Sequence, residues 1–368
     1  MRKIQSFRDF SFFLILRQNK QVNTLINNVP IRPLTFVKIF GPLNYLRFDR
    51  IVTQGCHLTM MPRVLVLQMD YHKCLPTPKV SSQDSFYLRK LRTNLFGVYS
   101  ANEDIMNCFF YDESIGGSGP NEVISLLNYV LETLIERYGT FHHLILWADN
   151  SPAQFKHCFL FFYLDTLVQN GRFLRVDLKF LLEGHSFSIC DRRFGCIQQF
   201  FNTQEKIETP QEWAISLRNS HLRNVRSHWV SLHQIMNYKS YLKNKYIARS
   251  EDINGEKFGV GKIAFMNFGY GEIPDQEGNL TLTRHNETAF IRFTMDTVEK
   301  PTIVSFVKKK QCEELNPADL VPVRQDCRPV RENVRPNCIT LAQKYLSERA
   351  LRFFTALAAA DQDSHDAD

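Results

Sequence analysis

Three aspartates, Asp70, Asp149 and Asp191, stand where predicted elements meet, 79 and 42 residues apart. Asp70 closes the apolar run VLVLQM, Asp149 closes LILWA, and Asp191 follows a fifth strand and opens a helix. In open α/β sheets ligands bind at the carboxyl ends of the strands, so neighbouring strands that end in carboxylates bring those groups together. Three carboxylates within a few ångströms repel one another and call for a cation. Hard, oxygen-preferring Mg²⁺ or Mn²⁺ fits such donors best. Two such ions about 3.5–4 Å apart can activate a water and stabilise a leaving oxygen in phosphodiester cleavage. Each aspartate alone also has an ordinary reading, because Asp is common at strand ends and as a helix N-cap.

Other groups could join this chemistry. Glu122 opens the first long helix and could add a metal-binding carboxylate, or could simply complement the helix dipole. His185, six residues before Asp191, could orient a water, act as a general acid–base or contact a phosphate; a loop histidine is also often only structural. Arg192 and Arg193 could meet a phosphate backbone or neutralise the acidic cluster.

The elements that must hold these residues follow from hydrophobic periodicity. Val64–Met69 is a strand-length apolar run, followed by a proline-containing loop over Leu75–Asp84. The second half of FYLRKLRTNLFGVYS and the segment Cys108–Glu113 read as two further strands. Pro120 precedes a helix over Asn121–Tyr138, with Val123, Leu126, Leu127, Val130, Leu131 and Leu134 on one stripe and Gly139 at its end. Next come a strand over Leu144–Asp149, an apolar helix over Gln154–Gln169, a strand in VDLKFLLEG and a shorter helix from Asp191 to about Phe201. Three early strands suit an antiparallel meander, and the later alternation suits parallel strands with crossover helices. This is an α/β, ribonuclease-H-like element order with the first and fourth strands as neighbours. Residues 1–60 read as a basic N-terminal arm or a truncated remnant, and 61–250 as the main domain. Residues 251–357 read as a C-terminal β-rich and helical appendage ending in a helix around Leu341–Leu357, and 358–368 as a disordered acidic tail.

The 368 residues are 44% hydrophobic and 23% charged, which excludes a disordered chain. Nine cysteines form no CxxC pair, which argues against a structural zinc site and, with no secretory signal, for reduced thiols in a nuclear or cytoplasmic protein. No run of 18 apolar residues occurs, so no membrane partner is expected. The net charge of +7 permits a nucleic-acid partner without demanding one. From Trp213 to Ser250 the chain holds no Asp or Glu. It carries Arg218, Arg223, Arg226, Lys239, Lys243 and Lys245 among Trp229, Tyr238, Tyr241 and Tyr246. Cations neutralise phosphates and aromatics stack on bases, so this is a candidate DNA surface; the alternative is an amphipathic helical pair with its aromatics in the core. No sequence-reading motif is present, and the sequence sets no oligomeric state.

The blocks MDYHKCLPTPKV, FFYDES, LILWADNSPAQFKHC and LKFLLEGHSFSICDRRFGCIQ, in this order, resemble a eukaryotic family of uncharacterised transposon-derived proteins related to DDE-type, ribonuclease-H-like transposases. The likeness runs from roughly Arg63 to Glu208. It implies that the family's acidic positions fall on Asp70, Asp149 and Asp191, with Mg²⁺ or Mn²⁺ as cofactor and DNA as substrate. Relatives often carry Gln-Asn-Arg where this chain has Gln154-Phe155-Lys156, and Ile-Glu where it has Ile197-Gln198. Two functions follow as expectations. One is metal-dependent phosphodiester cleavage or strand transfer; the other is a catalytically inactive, domesticated relic that binds nucleic acid or protein.

Overall fold

Valines and leucines at alternate and adjacent positions start strand β1, Val64–Thr77, which runs well past the apolar stretch that announces it. The computed structural model describes residues 63–152, 154–181, 188–274, 280–295, 300–308 and 315–358. The expected N-terminal arm, nearly all of the acidic tail and His185 lie outside them. β2 (Leu91–Ser100) and β3 (Ile105–Asp112) complete an antiparallel meander with β1. Asn102, buried in the turn between β2 and β3, locks that turn onto the start of β1. Its Oδ1 accepts from Val66 N and its Nδ2 donates to Val64 O, both at 2.9 Å. β4 (His143–Ala148) and β5 (Arg175–Phe180) then join in parallel, β4 beside β1 and β5 beside β4.

Four more strands widen this sheet. β6 (Val225–Trp229), from within the basic stretch, pairs in parallel with β3 at one edge. At the other side β7 (Phe265–Pro274) pairs antiparallel with β5, followed by β8 (Leu280–Arg292) and β9 (Thr302–Val304). The described residues thus form a mixed nine-stranded sheet in the order β6-β3-β2-β1-β4-β5-β7-β8-β9. The strands expected in a C-terminal appendage instead extend the main sheet.

Eight helices occur among the described residues: α1 Asp84–Tyr87, α2 Pro120–Tyr138, α3 Cys158–Gln169, α4 Ile189–Thr203, α5 Pro210–Arg218, α6 Tyr238–Lys243, α7 Val334–Tyr345 and α8 Glu348–Ala356. Successive side chains on a strand face opposite ways, and the sheet accordingly feeds two cores. Leu65, Leu67, Met69, Phe96 and Val98 pack with α2 and α3. Leu95, Tyr99, Met106, Cys108 and Phe110 pack with Phe194, Ile197 and Phe201 of α4 and Trp213 of α5. Gly97 lets α4 come this close, since a Cβ there would lie 2.7 Å from Phe194 Cζ. A third, smaller core joins Leu91 to Val334, Cys338, Ala350 and Phe354 of α7 and α8.

Several expected boundaries shift. The helix expected from Gln154 begins at Cys158, because Gln154, Phe155 and Lys156 turn back to donate to the Ser151 carbonyl and the His157 side chain caps the helix by accepting from Phe159 N at 3.3 Å. The expected terminal helix is two, broken at Leu346, with Ser347 capping α8 through Ala350 N. The seven cysteines among the described residues all stand outside disulfides. No helix of the described residues is long and apolar enough to cross a membrane.

One tight group of buried charge lies on β4, β5, β7 and β8. Arg175 makes two hydrogen bonds to Asp177, at 2.7 and 3.0 Å, and Arg292 donates to Asn267 at 2.9 Å. Burial alone would push the Asp177 carboxyl up, but Arg175 and His143 hold it well below the usual range.

Candidate active site

The ladder between β1 and β4 ends with Met69 opposite Ala148. The next residue on each chain is Asp70 and Asp149, so two of the three aspartates sit side by side where the two chains part. Asp70 does not end its strand, as the apolar run implies. β1 continues as the partner of β2, with Asp70 opposite Gly97. What ends at Asp70 is the pairing with β4, and this opens a notch in the sheet.

Asp191 arrives from the helix above. α4 begins at Ile189 with Ser188 as its N-cap, so Asp191 lies in the first turn and does not open the helix. Ser188 Oγ accepts from Asp191 N at 3.1 Å. The start of α4 is fastened to β1 by Gln68, a buried residue two places before Asp70. Gln68 Nε2 donates to Ser188 Oγ and its Oε1 accepts from Ile189 N, both at 3.1 Å, while Cys190 Sγ donates to the Gln68 carbonyl at 3.4 Å. Gln68 and Asp70 share a face of β1 by the two-residue strand period, and that is the face α4 covers. Sequence reasoning missed Gln68. Its signal is a single polar residue inside an otherwise apolar strand. Gln68→Leu leaves the Ile189 N–H without this acceptor, and should cost about 1–3 kcal/mol in urea unfolding.

Electrostatics record the convergence. Burial pushes the Asp70 carboxyl up to about 7. A hydrogen bond from Tyr71 N, 2.7 Å from Oδ1, works against that rise, and the charges of Asp191 and then Asp149 add to it. Asp149 and Asp191, 79 and 121 residues further along the chain, therefore both lie near enough to act on Asp70. As a donor set they are all hard oxygen, which suits a divalent ion. Among the described residues, no three histidine, cysteine, aspartate or glutamate side chains are gathered closely enough to hold a metal ion. The chemistry of the donors fits Mg²⁺ or Mn²⁺; a ready-made coordination shell is absent among those residues.

The remaining expected site residues are distributed differently. Glu122 sits in the first turn of α2 and accepts from Gly117 N at 2.7 Å. Gly117 O in turn accepts from Tyr111 OH, which is 2.9 Å from Tyr71 OH. Glu122 therefore holds a loop on the Tyr71 side of β1, opposite to the face of Asp70, and does not join the three aspartates. Arg193 pairs with Asp104 at 2.7 Å and lies over the Tyr99 ring, so it ties α4 to the turn after β2 and does not neutralise the aspartates. Arg192 is exposed beside Asp191.

The basic stretch is not a helical pair but α5, β6 and α6 in succession. Its aromatics are committed inward. Tyr238 and Tyr246 are buried in the core, with Tyr246 OH donating to Asp165 at 2.7 Å, and Trp229 and Tyr241 pack against core clusters. Burial takes Tyr238 and Tyr246 out of reach of bases, while Trp229 and Tyr241 stay half-buried. Arg226 is spent on Glu103, at 3.1 Å, while Arg218 donates to Ser227 O at 3.4 Å. Lys243 lies over Phe159 and Lys245 over Tyr246, each at 5.9 Å. Arg223 and Lys239 are exposed.

Residues 83–260 match a family described as a domain of unknown function, DUF7869. The matched segment takes in β2 to α6, and with them Asp149, Asp191 and the whole basic stretch; β1 and Asp70 precede it. No curated protein matches the chain.

Proposed function

We propose that this chain is a ribonuclease-H-like, transposon-derived protein that acts on DNA by metal-dependent phosphodiester cleavage or strand transfer. The observation that supports the reading is Asp70 beside Asp149 where β1 and β4 part, with Asp70 raised to about 7 by burial and, to a smaller extent, by the charges of Asp191 and Asp149. The meander followed by parallel β4 and β5 is the strand arrangement this fold calls for, and the sequence resemblance selects the same three residues.

In this reading Asp70 and Asp149 bind divalent cations from the sheet and Asp191 closes the group from α4. A bound Mg²⁺ or Mn²⁺ would supply the positive charge that activates a nucleophile and stabilises a leaving oxygen. The protein's own part is positional. Gln68 and Ser188 fix the start of α4, Gln68 by its hold on β1. Arg192, exposed next to Asp191, faces the solvent from which a phosphate backbone approaches. A nuclear or cytoplasmic setting suits a DNA substrate and reduced thiols.

A specific observation favours the second reading, a non-catalytic relic that binds nucleic acid or protein: no three of the described side chains form a metal-holding group. Cleavage of supercoiled and single-stranded DNA with Mn²⁺, comparing the wild type with Asp149→Asn, separates the two. The enzyme reading expects activity in the wild type and a drop of about a hundredfold or more in the variant, of the size seen when one charge-stabilising group is removed. Equal rates in both proteins would exclude it.

A further inference from the structure

The most exposed aromatic side chains among the described residues stand on α1, the short helix that follows β1. Phe86 is 86% and Tyr87 75% exposed, with ring centroids 5.3 Å apart at 83°. α1 is tied to its neighbours by three side-chain hydrogen bonds. Asp84 accepts from Lys344 Nζ at 2.8 Å and from Tyr345 OH at 3.1 Å, both at the end of α7, and Lys90 donates to Ser85 Oγ at 2.5 Å. Tyr345 is itself 39% exposed, so a third ring borders the same corner. Two neighbouring aromatics this bare lose hydrophobic free energy to no visible end unless something flat covers them.

Charge indicates what that is. From Lys79 to Arg92 four cations, Lys79, Arg89, Lys90 and Arg92, stand against one acid, Asp84, and Asp84 is already paired with Lys344. Arg89 and Arg92 are exposed. Bare rings beside cations are the two components of single-strand nucleic-acid binding: π-faces for unpaired bases and positive charge for the phosphates between them. In the basic stretch over 213–250 the rings are buried or half-buried, whereas in this corner they stand bare beside the charge.

We propose that the α1 corner is a stacking platform for unpaired nucleic acid, with bases on Phe86 and Tyr87 and phosphates on Arg89 and Arg92. It deepens the proposed function by giving the substrate strand a second holding point. Seven residues of β1 separate Asp70 from the end of the strand, roughly 20 Å at strand rise. A single strand seated on the rings and running back along β1 therefore reaches the acidic notch.

The test is fluorescence anisotropy of the full chain with a labelled oligothymidine of about 20 nucleotides and a duplex of the same length, in EDTA, between about 50 and 200 mM salt. The double variant Phe86→Ala/Tyr87→Ala should bind the single strand at least tenfold more weakly, with the duplex affinity and the thermal melt unchanged, because both rings lie outside the core. Arg89→Ala/Arg92→Ala should flatten the salt dependence of single-strand binding. Wild-type affinity in the double aromatic variant, or a wild type that leaves the oligothymidine unbound, overturns the proposal. EDTA keeps the outcome independent of the metal site, so the comparison of the wild type with the double aromatic variant reads the platform even where cleavage fails.

Discussion

Asp70→Asn should make the protein more stable than the wild type at about pH 8 and leave it unchanged at about pH 4. The sign follows from the carboxyl, whose ordinary value of 3.8 rises to about 7 in the folded chain. The folded state therefore holds a proton that the unfolded state releases. Stability is complete below the unfolded value, and is lost as pH rises from about 4 through about 7, because ionising Asp70 then strains the burial and the neighbouring charges of Asp191 and Asp149. Allowing for partial exposure, about 2–4 kcal/mol is at issue. Urea unfolding of both proteins across this pH range reads it directly, and superimposable curves would refute the acidic convergence. A divalent cation that occupies the notch reverses the penalty. Mn²⁺ at a hundredfold excess over Kd should add about 2.7 kcal/mol to the wild type near pH 8, much less near pH 5, and little to Asp70→Asn.

Phe155→Ala should be the most damaging single truncation near the site. Phe155 is completely buried, its ring 6.1 Å from that of Tyr71 and 6.4 Å from that of Phe96. The turn that carries it starts at Ser151, whose carbonyl accepts from Phe155 N at 3.0 Å, two residues after Asp149. The ring thus pins the Asp149 loop to the residue that follows Asp70. Removing it leaves a cavity that packed neighbours fill only partly, at about 3–5 kcal/mol. Thermal unfolding measures the loss, and Mn²⁺ stabilisation should fall with it as Asp149 comes loose. A loss below about 1 kcal/mol would show that the loop holds itself.

The same residue shows what the sequence could and could not convey. Gln154 to Gln169 is apolar enough to read as one helix, yet Phe155 turns into the core and His157 caps a helix that begins only at Cys158. Local pattern reports which residues are buried, not which element buries them. β1 was legible as far as Met69 because its valines and leucines are local information. Its continuation through Tyr71, His72 and Lys73 depends on β2 as a partner and carries no apolar signal of its own. α2 emerged whole, from Pro120 to Gly139, because its stripe and both its ends are written in adjacent residues. The neighbouring placement of Asp70 and Asp149 was legible from the order of the strands, whereas Glu122 was equally plausible in the sequence and turned to Gly117 instead. Tyr238 and Tyr246 looked like stacking partners for bases because charge surrounds them; instead their rings pack against Tyr163 and Phe162 of α3 in the core.

Gln68 and Ser188, joined side chain to side chain, are 120 residues apart. No local fold can prepare the acidic notch in advance. β1 must await β4, and β4 with β1 must await α4, so the notch is among the late arrivals of folding, after the costly closure of long loops. During synthesis the chain leaves the ribosome with β1 and its meander long before Asp191 exists. A nascent or truncated product ending ahead of Ser188 carries Asp70 and Asp149 without Asp191 or the helix that covers their face of β1, so the notch is incomplete until the chain has passed its midpoint.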